Sequence, residues 1–382
     1  MKGSFPLDKF KELQTPFYYY DIDVLKETLQ SVTNAAGKRG YHVHYAIKAN
    51  ANVRILSVIR NSGIGADCVS GGEIQAALSA GFPANKVVFA GVGKADWEIN
   101  LGLEHDIFCF NVESIPELEI IDELADVKGK IARVALRINP EVDAHTHHHI
   151  TTGTKENKFG INIDQLDKVL DRLKSLNYLK LIGLHFHIGS QLLNFEPFIE
   201  LCNKVNEIQK QLAKQDIRVE NINFGGGLGI DYHHPEIIPD YEKYFAVFGK
   251  YFQPYPGQQV HFEPGRSVVG QCGSLISKIL YVKEGSFKKF AILDAGFTEL
   301  IRPAMYDAYH TIENLSSDEA QEVYDVVGPI CESSDTFAKE TTLNKAHRGD
   351  IFALRSAGAY GEIMASQYNC RRLPKAYFSD EL

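Results

Sequence analysis

The stretch ADCVSGGEIQAALSAGFPANKVVFA (residues 66–90) indicates the fold class, because it contains the smallest unit of a parallel sheet. Ala66–Val69 is a short β-type run, Gly72–Ala80 has the apolar spacing of an amphipathic helix, and Val87–Ala90 is a second β-type run. Two strands joined by a helix pair in parallel, since the helix returns the chain to the starting end of the sheet. The stretch therefore predicts one strand–helix–strand unit.

The same alternation extends in both directions from this unit. The other β-type runs are His42–Ile47, Ile107–Asn111, Arg133–Ile138, Leu181–Ile188, Asn221–Phe224 and Val260–Phe262. Amphipathic patterns also cover Ile115–Leu124, Ile163–Leu176 and Pro197–Lys214. Eight strands, each but the last followed by a helical pattern, predict a closed (β/α)8 TIM-like barrel of the α/β class. An open doubly wound sheet is the competing architecture.

After about residue 265 the pattern changes to short strands with few helical periods. The β-type runs there are Val268–Val269, Leu275–Val282, Phe290–Leu293, Glu322–Val327 and Asp350–Leu354. They predict a C-terminal β-rich domain, a small barrel or sandwich, which the N-terminal run Phe17–Tyr20 could join. We therefore expect a barrel domain over residues 22–262 and a β-domain built from residues 1–21 and 263–382.

Composition excludes several classes of protein. The 382 residues are 44% hydrophobic and carry a net charge of −9 without a long basic run, which disfavours nucleic acid as a partner. No apolar stretch approaches the roughly 20 residues that a membrane span needs. Residues 1–13 lack the apolar core of a secretory signal, so we expect none. Six scattered cysteines without a CxxC pair indicate reduced thiols and a cytoplasmic protein.

Residues able to carry chemistry stand at the ends of the predicted strands. The active site of a (β/α)8 barrel lies at the C-terminal ends of its strands. These ends supply Lys48, Asp67, His185, His187, Ser190, Gly225–Gly227 and the run Glu263–Pro264–Gly265–Arg266. An amine, histidines, a glycine-rich loop, a carboxylate and a guanidinium would thus meet at one rim of the barrel.

Two of these features suit a phosphorylated carbonyl cofactor. Lys48 could form a Schiff base, because partial desolvation makes a lysine amine nucleophilic. The glycines at 225–227 would let backbone N–H groups approach a phosphate closely, with Arg266 and Ser190 beside it.

The remaining strand-end residues complete the requirements of pyridoxal 5′-phosphate. Glu263 could keep a heteroaromatic nitrogen protonated, and His187 could stack on the ring. A metal site formed by His185 and His187 is the alternative, but convincing further ligands are lacking. We therefore expect pyridoxal 5′-phosphate and no metal.

Nine ordered motifs resemble those of the barrel-fold pyridoxal-phosphate decarboxylases. They are YAIKAN (45–50), DCVSGGE (67–73), KFGI (158–161), HFHIGSQ (185–191), GGGLG (225–229), EPGRS (263–267), RPAMYDAYH (302–310), GPICESSD (328–335) and SAGAYG (356–361). The resemblance covers nearly the whole chain, from Thr15 to Asn369. It implies a lyase that removes CO2 from an amino acid with the help of pyridoxal phosphate.

The resemblance also implies the residues of the site. Lys48 would hold the cofactor as a Schiff base, His187 would stack on its ring, and Cys331 would donate a proton. The implied cofactor-binding residues are Lys48, Asp67, His187, Ser190, Gly225, Gly226, Gly227, Glu263, Pro264, Gly265, Arg266 and Tyr360. The implied substrate-binding residues are Arg266, Arg302, Tyr306, Glu332 and Tyr360.

Charge at the substrate end of the implied site indicates the substrate. Arg302 offers a planar fork for a carboxylate, and Glu332 offers the opposite charge for an ammonium. The resemblance implies meso-2,6-diaminopimelate, whose far end carries both groups and whose decarboxylation gives L-lysine, the last step of lysine biosynthesis. Ornithine or lysine would leave Arg302 without a counter-charge, at a cost of about 3–5 kcal/mol. A decarboxylase of ornithine, lysine or a carboxylated polyamine is the alternative.

The resemblance further implies a homodimer with shared active sites. Cys331 and Glu332 would enter each site from the second subunit. A different class, the non-catalytic cofactor carrier or regulatory homologue, would be expected to lose Lys48, Glu263 or Cys331, and this chain keeps all three. The expected partners are an amino-acid substrate and a second copy of this chain, without nucleic acid or membrane.

The chain departs from the family pattern at His145–His149, where four of five residues are histidine. We expect a solvated loop near the mouth of the barrel there, and metal binding is the alternative.

Overall fold

The computed structural model describes residues 5–142 and 158–382, so His145–His149 lies outside the described residues. The chain divides into two compact units, which comprise Met1–Thr28, Ile230–Pro239 and Arg266–Leu382 (the β unit) and Leu29–Gly229 and Asp240–Gly265 (the barrel unit). Residues 22–28 and 230–239 thus group with the β-rich part. The domain bounds at 22 and 262 stay a prediction.

Eight parallel strands close into a ring in the barrel unit. From first to eighth they are His42–Ala46, Gly65–Cys68, Val87–Phe89, Cys109–Val112, Ala132–Asn139, Leu179–His185, Asn221–Asn223 and Gln259–Phe262. Each pairs in parallel with the next, and the eighth pairs with the first, His261 lying opposite His42. Ring closure confirms the (β/α)8 barrel, because an open doubly wound sheet keeps two edge strands.

Seven helices of the described residues connect the strands of the barrel. Their bounds are Val53–Asn61, Gly71–Ser79, Asp96–Glu104, Ile115–Val127, Leu166–Leu173, Glu196–Ala213 and Tyr241–Tyr251, and the helix Ile22–Gly37 precedes the first strand. Short-range polar contacts fix where a helix begins: the hydroxyl of Ser70 accepts a hydrogen bond from the N–H of Glu73 at 3.2 Å. The carboxylate of Glu73 in turn accepts from the N–H of Val69 at 2.7 Å. These contacts satisfy N–H groups that have no partner within the helix, and they hold the end of the second strand in place.

The β unit contains strands from both ends of the chain. Its strands are Phe17–Tyr20, Gly273–Glu284, Lys289–Leu293, Ile312–Asn314, Gln321–Val327, Thr336–Asn344, Ile351–Leu354 and Lys375–Phe378, and its helices are Leu7–Glu12, Arg266–Val269 and Arg302–Tyr306. Phe17–Tyr20 pairs antiparallel with residues 273–276 and parallel with Lys375–Phe378. The expectation that the N-terminal run joins the β-rich part is therefore confirmed.

One predicted strand is wrong. Val268–Val269 lies in the helix Arg266–Val269, all of whose residues are buried. Two β-branched residues favour a strand locally. The chain turns there instead, and the N–H of Gly270 donates to the carbonyl of Arg266 at 2.8 Å to close the helical turn. Tertiary burial thus overrides the local preference.

Three strands of the β unit escaped prediction because their sequences have little apolar alternation. Thr336–Asn344, with the sequence TFAKETTLN, is the longest of them and buries few of its side chains. Within residues 5–142 and 158–382, no helix combines the length and the apolar character that crossing a membrane requires.

Candidate active site

The carboxylate of Glu263 lies at the centre of a buried polar cluster in the barrel unit. Its Oε2 accepts a hydrogen bond from Nε2 of His185 at 2.8 Å. Its Oε1 accepts from Nδ2 of Asn223 at 2.6 Å and from Nδ2 of Asn111 at 3.4 Å. Burial opposes ionisation, but His185, His44 and the hydrogen bond from Asn223 outweigh burial and lower the pKa of Glu263 to about 2. This carboxylate is therefore ionised at neutral pH.

Lys48 and Asp67 stand where the first and second strands end. Lys48 is partly exposed in the 3-10 helix Ile47–Ala49, which directly follows the first strand. Asp67 is 2% exposed, and among the described residues its Oδ1 has no hydrogen-bond partner. Burial and the charge of Glu263 raise the pKa of Asp67 well above its usual value, while the charge of Lys48 lowers it. A buried carboxyl oxygen without a donor is suited to bind a polar group of a ligand.

Pro264 and Gly265 hold the end of the eighth strand against the end of the first. The carbonyl of Pro264 accepts a hydrogen bond from the N–H of Ala46 at 3.2 Å. A Cβ on Gly265 would lie 3.1 Å from the Cβ of Ala46, so the two strand ends approach closely. This contact fixes the positions of Lys48 and Glu263, which flank it in sequence.

The segment Gly225–Gly227 passes too close to neighbouring backbone to carry side chains. A Cβ on Gly225 would lie 2.3 Å from the carbonyl oxygen of Phe186, and a Cβ on Gly226 would lie 2.4 Å from the carbonyl oxygen of Glu263. The φ angles of Gly225 and Gly227 are +68° and +110°, in the region that favours glycine. The segment therefore presents bare backbone, which can approach an anion more closely than a substituted chain can.

His187 and Ser190 follow the sixth strand and lie beside the glycine segment. Nδ1 of His187 accepts a hydrogen bond from the N–H of Gly226 at 3.3 Å. Burial and the charge of Lys48 hold the pKa of His187 well below its usual value, so this imidazole is neutral. Leu192 donates its N–H to the carbonyl of the last of the three glycines at 2.9 Å, which ties the segment carrying Ser190 to the glycines.

Two buried guanidiniums share one phenol oxygen in the β unit. Nη1 of Arg266 donates to the hydroxyl of Tyr232 at 2.7 Å, and Nη1 of Arg302 donates to the same oxygen at 2.8 Å. Nη1 of Arg302 also donates to Nε2 of His310 at 3.0 Å, and the guanidinium carbon of Arg266 lies 4.9 Å from the centroid of the Tyr360 ring. In the described part of the chain, no carboxylate pairs with Arg302. The cluster therefore has a positive charge that a carboxylate ligand can neutralise.

Of the other predicted substrate residues, one shares a helix with Arg302 and two lie on a loop of the β unit. Tyr306 ends the helix Arg302–Tyr306. Cys331 and Glu332 are exposed on the loop after Gln321–Val327, and the hydroxyl of Tyr368 donates to Oε1 of Glu332 at 2.8 Å. Within one chain, the structure does not bring Glu332 into contact with Arg302.

His310 makes the stability of the β unit depend on pH. Burial and the charge of Arg302 lower the pKa of His310 to about 3, against an ordinary value of 6.5. Between these values the unfolded chain binds a proton that the folded chain does not, so stability falls as pH falls through this window. From pH 7.5 to 5.5 we expect His310 to reduce the free energy of unfolding by roughly 1.4 kcal/mol. Urea unfolding of the wild type and of His310→Gln at both pH values measures this contribution.

The variant should lose that part of the pH dependence. His347→Gln, which replaces an exposed histidine of the same unit, is the matched control and should behave as the wild type. Equal pH dependence in the wild type and in His310→Gln would contradict the assignment of a neutral, buried imidazole.

The comparison with known proteins identifies the family. Residues 23–270 match the family described as pyridoxal-dependent decarboxylase, pyridoxal binding domain. The chain belongs to the pyridoxal-dependent decarboxylases. One relative in this family is the diaminopimelate decarboxylase of Bacteroides thetaiotaomicron, 66% identical over 385 residues, with 100% of both chains covered.

Two solved structures of pyridoxal-dependent decarboxylases are also similar to this chain. The diaminopimelate decarboxylase of Helicobacter pylori, complexed with L-lysine, is 42% identical with a TM-score of 0.91 and covers 97% of this chain and 93% of its own. The diaminopimelate decarboxylase of M. jannaschii, in complex with L-lysine, is 36% identical with a TM-score of 0.91. The match covers 100% of this chain and 91% of the M. jannaschii chain.

Pyridoxal phosphate is the cofactor of a pyridoxal-dependent decarboxylase, and the residues of the barrel unit fit it. The amine of Lys48 suits its aldehyde, and the ionised carboxylate of Glu263 suits a protonated ring nitrogen. A Cβ on Gly225 or Gly226 would collide with a backbone carbonyl oxygen, so this segment offers bare backbone toward a phosphate. Oδ1 of Asp67, which has no hydrogen-bond partner among the described residues, adds a buried polar atom. The donor and acceptor set therefore agrees with the family.

Sequence reasoning missed several residues that contact the predicted site residues within each unit. Asn223 donates to Glu263 and also accepts from the N–H of Gly225 at 2.9 Å, so one side chain positions two predicted elements. Asn223 and Asn111 could have been found from the sequence, because each is a polar residue near the end of an apolar strand. Tyr232 had no local signal, because its contact with Arg302 spans 70 positions of sequence.

Proposed function

We propose that this chain is a cytoplasmic, homodimeric enzyme that decarboxylates meso-2,6-diaminopimelate to L-lysine and CO2, the last step of lysine biosynthesis. The buried guanidinium of Arg302 carries this proposal, because its partners in the described part of the chain are a phenol and an imidazole rather than a carboxylate. The distal carboxylate of diaminopimelate supplies the missing negative charge. The diaminopimelate decarboxylases named above, at 36–66% identity, support the same substrate.

Residues of the barrel unit would hold the cofactor and control a proton. When bound, pyridoxal phosphate supplies an electron sink for the negative charge that departure of CO2 leaves on carbon. Lys48 would hold it covalently and be displaced by the amine of the substrate. Glu263, with a pKa of about 2, would keep a proton on the ring nitrogen. The neutral ring of His187 would cover one face and exclude water, while Ser190 and the glycine segment would bind the phosphate.

Residues of the β unit would bind the substrate. Arg302 and Tyr306 would hold its distal carboxylate, and Arg266 would bind the phosphate or a neighbouring carboxylate. Tyr360 would contact the cofactor, since its ring already lies against Arg266. The site therefore selects for a second carboxylate at the far end of the amino acid.

A second copy of this chain would complete each site. Cys331 would donate its Sγ proton to the carbon that loses CO2, and Glu332 would pair with the distal ammonium. Their exposure on one loop, away from the contacts of Arg302, supports a role toward another subunit. The six free cysteines support a reducing, cytoplasmic location.

A substrate panel tests the proposed activity. With added pyridoxal phosphate, we expect kcat/KM for meso-diaminopimelate to exceed that for ornithine, lysine or a carboxylated polyamine by roughly a hundredfold or more, because those substrates leave a buried charge unpaired. Release of CO2 measured on each compound gives the ranking. A higher kcat/KM for ornithine would show that the proposed substrate is wrong. Binding of the cofactor without release of CO2 from any compound would indicate a non-catalytic cofactor carrier.

Mixing two inactive variants tests the shared site. Lys48→Ala removes a barrel residue and Cys331→Ala removes a loop residue, so a heterodimer with shared sites contains one intact site. After subunit exchange, proven by differently tagged chains, we expect the mixture to recover up to about a quarter of the wild-type activity, as random pairing gives half heterodimers with one working site each. Complete exchange without recovery would contradict sharing.

A further inference from the structure

The hydrogen-bond partners of the Tyr232 phenol indicate its function. A phenol oxygen has two lone pairs and one hydrogen. Arg266 donates to this oxygen at 2.7 Å and Arg302 donates to it at 2.8 Å, so both lone pairs are occupied. The hydrogen must therefore point away from both guanidiniums. Within residues 5–142 and 158–382, no group accepts it.

The surroundings of this phenol are short of negative charge. Burial lowers the pKa of Arg302, Tyr232 raises it, and the nearby charge of Arg266 lowers it again. The two guanidiniums are 8% and 6% exposed, so water screens their repulsion weakly. One phenol oxygen bridges two like charges here.

The hydrogen bonds of His310 leave its ring without a free donor for an anion. Nδ1 of His310 lies 2.9 Å from the carbonyl of Arg355 and therefore carries the hydrogen. Its Nε2 then accepts from Arg302 at 3.0 Å and offers no donor. The ring of Tyr232 packs edge-on against His310 with centroids 5.2 Å apart, and the backbone carbonyl of Tyr232 accepts from the hydroxyl of Thr311 at 2.7 Å. The phenol is thus fixed in place on its ring side and on its backbone side.

We propose that Tyr232 is a substrate-binding and positioning residue of this enzyme: its oxygen holds Arg266 and Arg302 in register, and its O–H donates to the distal carboxylate of the substrate. The carboxylate then receives a neutral hydrogen bond beside the charged ones from Arg302. This inference rests on the proposed function for the identity of the substrate, whereas the carboxylate-binding role follows from the contacts of Tyr232 alone.

Binding of two diamines to the holoenzyme tests this role. L-lysine, the product of the proposed reaction, keeps the distal carboxylate of diaminopimelate, and cadaverine is the same diamine without that carboxylate. In Tyr232→Phe, which keeps the ring and removes only the hydroxyl, we expect the Kd of L-lysine to rise roughly tenfold, the usual loss of a hydrogen bond to a charged group. The Kd of cadaverine should change less than about twofold, because nothing in cadaverine accepts from the phenol. Calorimetry on the pyridoxal-phosphate-loaded protein gives both constants.

Kinetics and a matched control separate this role from a structural one. Tyr232→Phe should raise KM for diaminopimelate roughly tenfold and change kcat by less than about threefold. Tyr324→Phe removes another hydroxyl of the β unit, which donates to Glu322 at 2.8 Å, and should leave both diamines unaffected. The proposal would be overturned if Tyr232→Phe weakened the binding of L-lysine and of cadaverine equally, or if it did not weaken the binding of L-lysine.

The proposed function can fail independently of this inference. If diaminopimelate is not decarboxylated but Tyr232→Phe still discriminates L-lysine from cadaverine, the carboxylate-binding role stands and the substrate is wrong. If diaminopimelate is turned over but the discrimination is absent, the role of Tyr232 is wrong. Melting temperatures within a few degrees of the wild type establish that each variant is folded.

Discussion

Replacement of Lys48 by alanine is expected to abolish decarboxylation, with a loss of roughly 10³-fold or more in kcat. The amine of Lys48 is the one nucleophile at the end of the first strand, where it could hold pyridoxal phosphate covalently. The visible absorbance of the loaded protein should disappear together with the activity. Measurement of CO2 release and of the absorbance spectrum on the same sample checks both expectations.

Two further variants separate covalent chemistry from charge. Lys48→Arg keeps a positive charge beside Asp67 but cannot form a Schiff base, so it should be as inactive as Lys48→Ala. Lys180→Ala removes a surface lysine that pairs with Glu220, and we expect it to retain wild-type activity. If Lys48→Arg kept a tenth of the activity, the charge rather than the amine would be the essential property.

Replacement of Arg302 by alanine is expected to lower kcat/KM for diaminopimelate by roughly 10²- to 10³-fold, since truncation of one partner of a buried charge pair costs about 2–5 kcal/mol. The guanidinium is 6% exposed and directed at Tyr232 and His310, so no water-exposed cation can replace it. Activity on a substrate without a distal carboxylate, such as lysine, should fall far less. The ratio of the two kcat/KM values measures the specificity that this residue supplies.

Arg302→Lys is the matched control for this specificity. It restores the charge without the planar fork, so we expect an activity between that of Arg302→Ala and that of the wild type. Equal losses on diaminopimelate and lysine in Arg302→Ala would indicate a general disturbance of the β unit. In that case Arg302 would not bind the distal carboxylate specifically.

The architecture of the barrel could be predicted from sequence because its signals are local. Alternation with a period of two and apolar spacing with a period near 3.6 each lie within one short segment, as in residues 66–90. The positions of Lys48 and Glu263 followed from the same signals, since a parallel barrel places every strand end at one rim. The predicted strand at Val268–Val269 was wrong, because burial and the hydrogen bond from Gly270 that closes the helical turn outweigh the local β preference.

The fold class, the family resemblance and the residue types at the strand ends could all be inferred from the sequence. The ionisation and the contacts of those residues depend on the tertiary structure. Glu263 is ionised because His185, His44 and Asn223, which lie on three other strands, outweigh the effect of burial on its pKa. A sequence pattern within one strand cannot show that these side chains come together. Tyr232 joins Arg266 to Arg302 for the same reason: hydrogen bonds act over about 3 Å in space, whatever the separation along the chain.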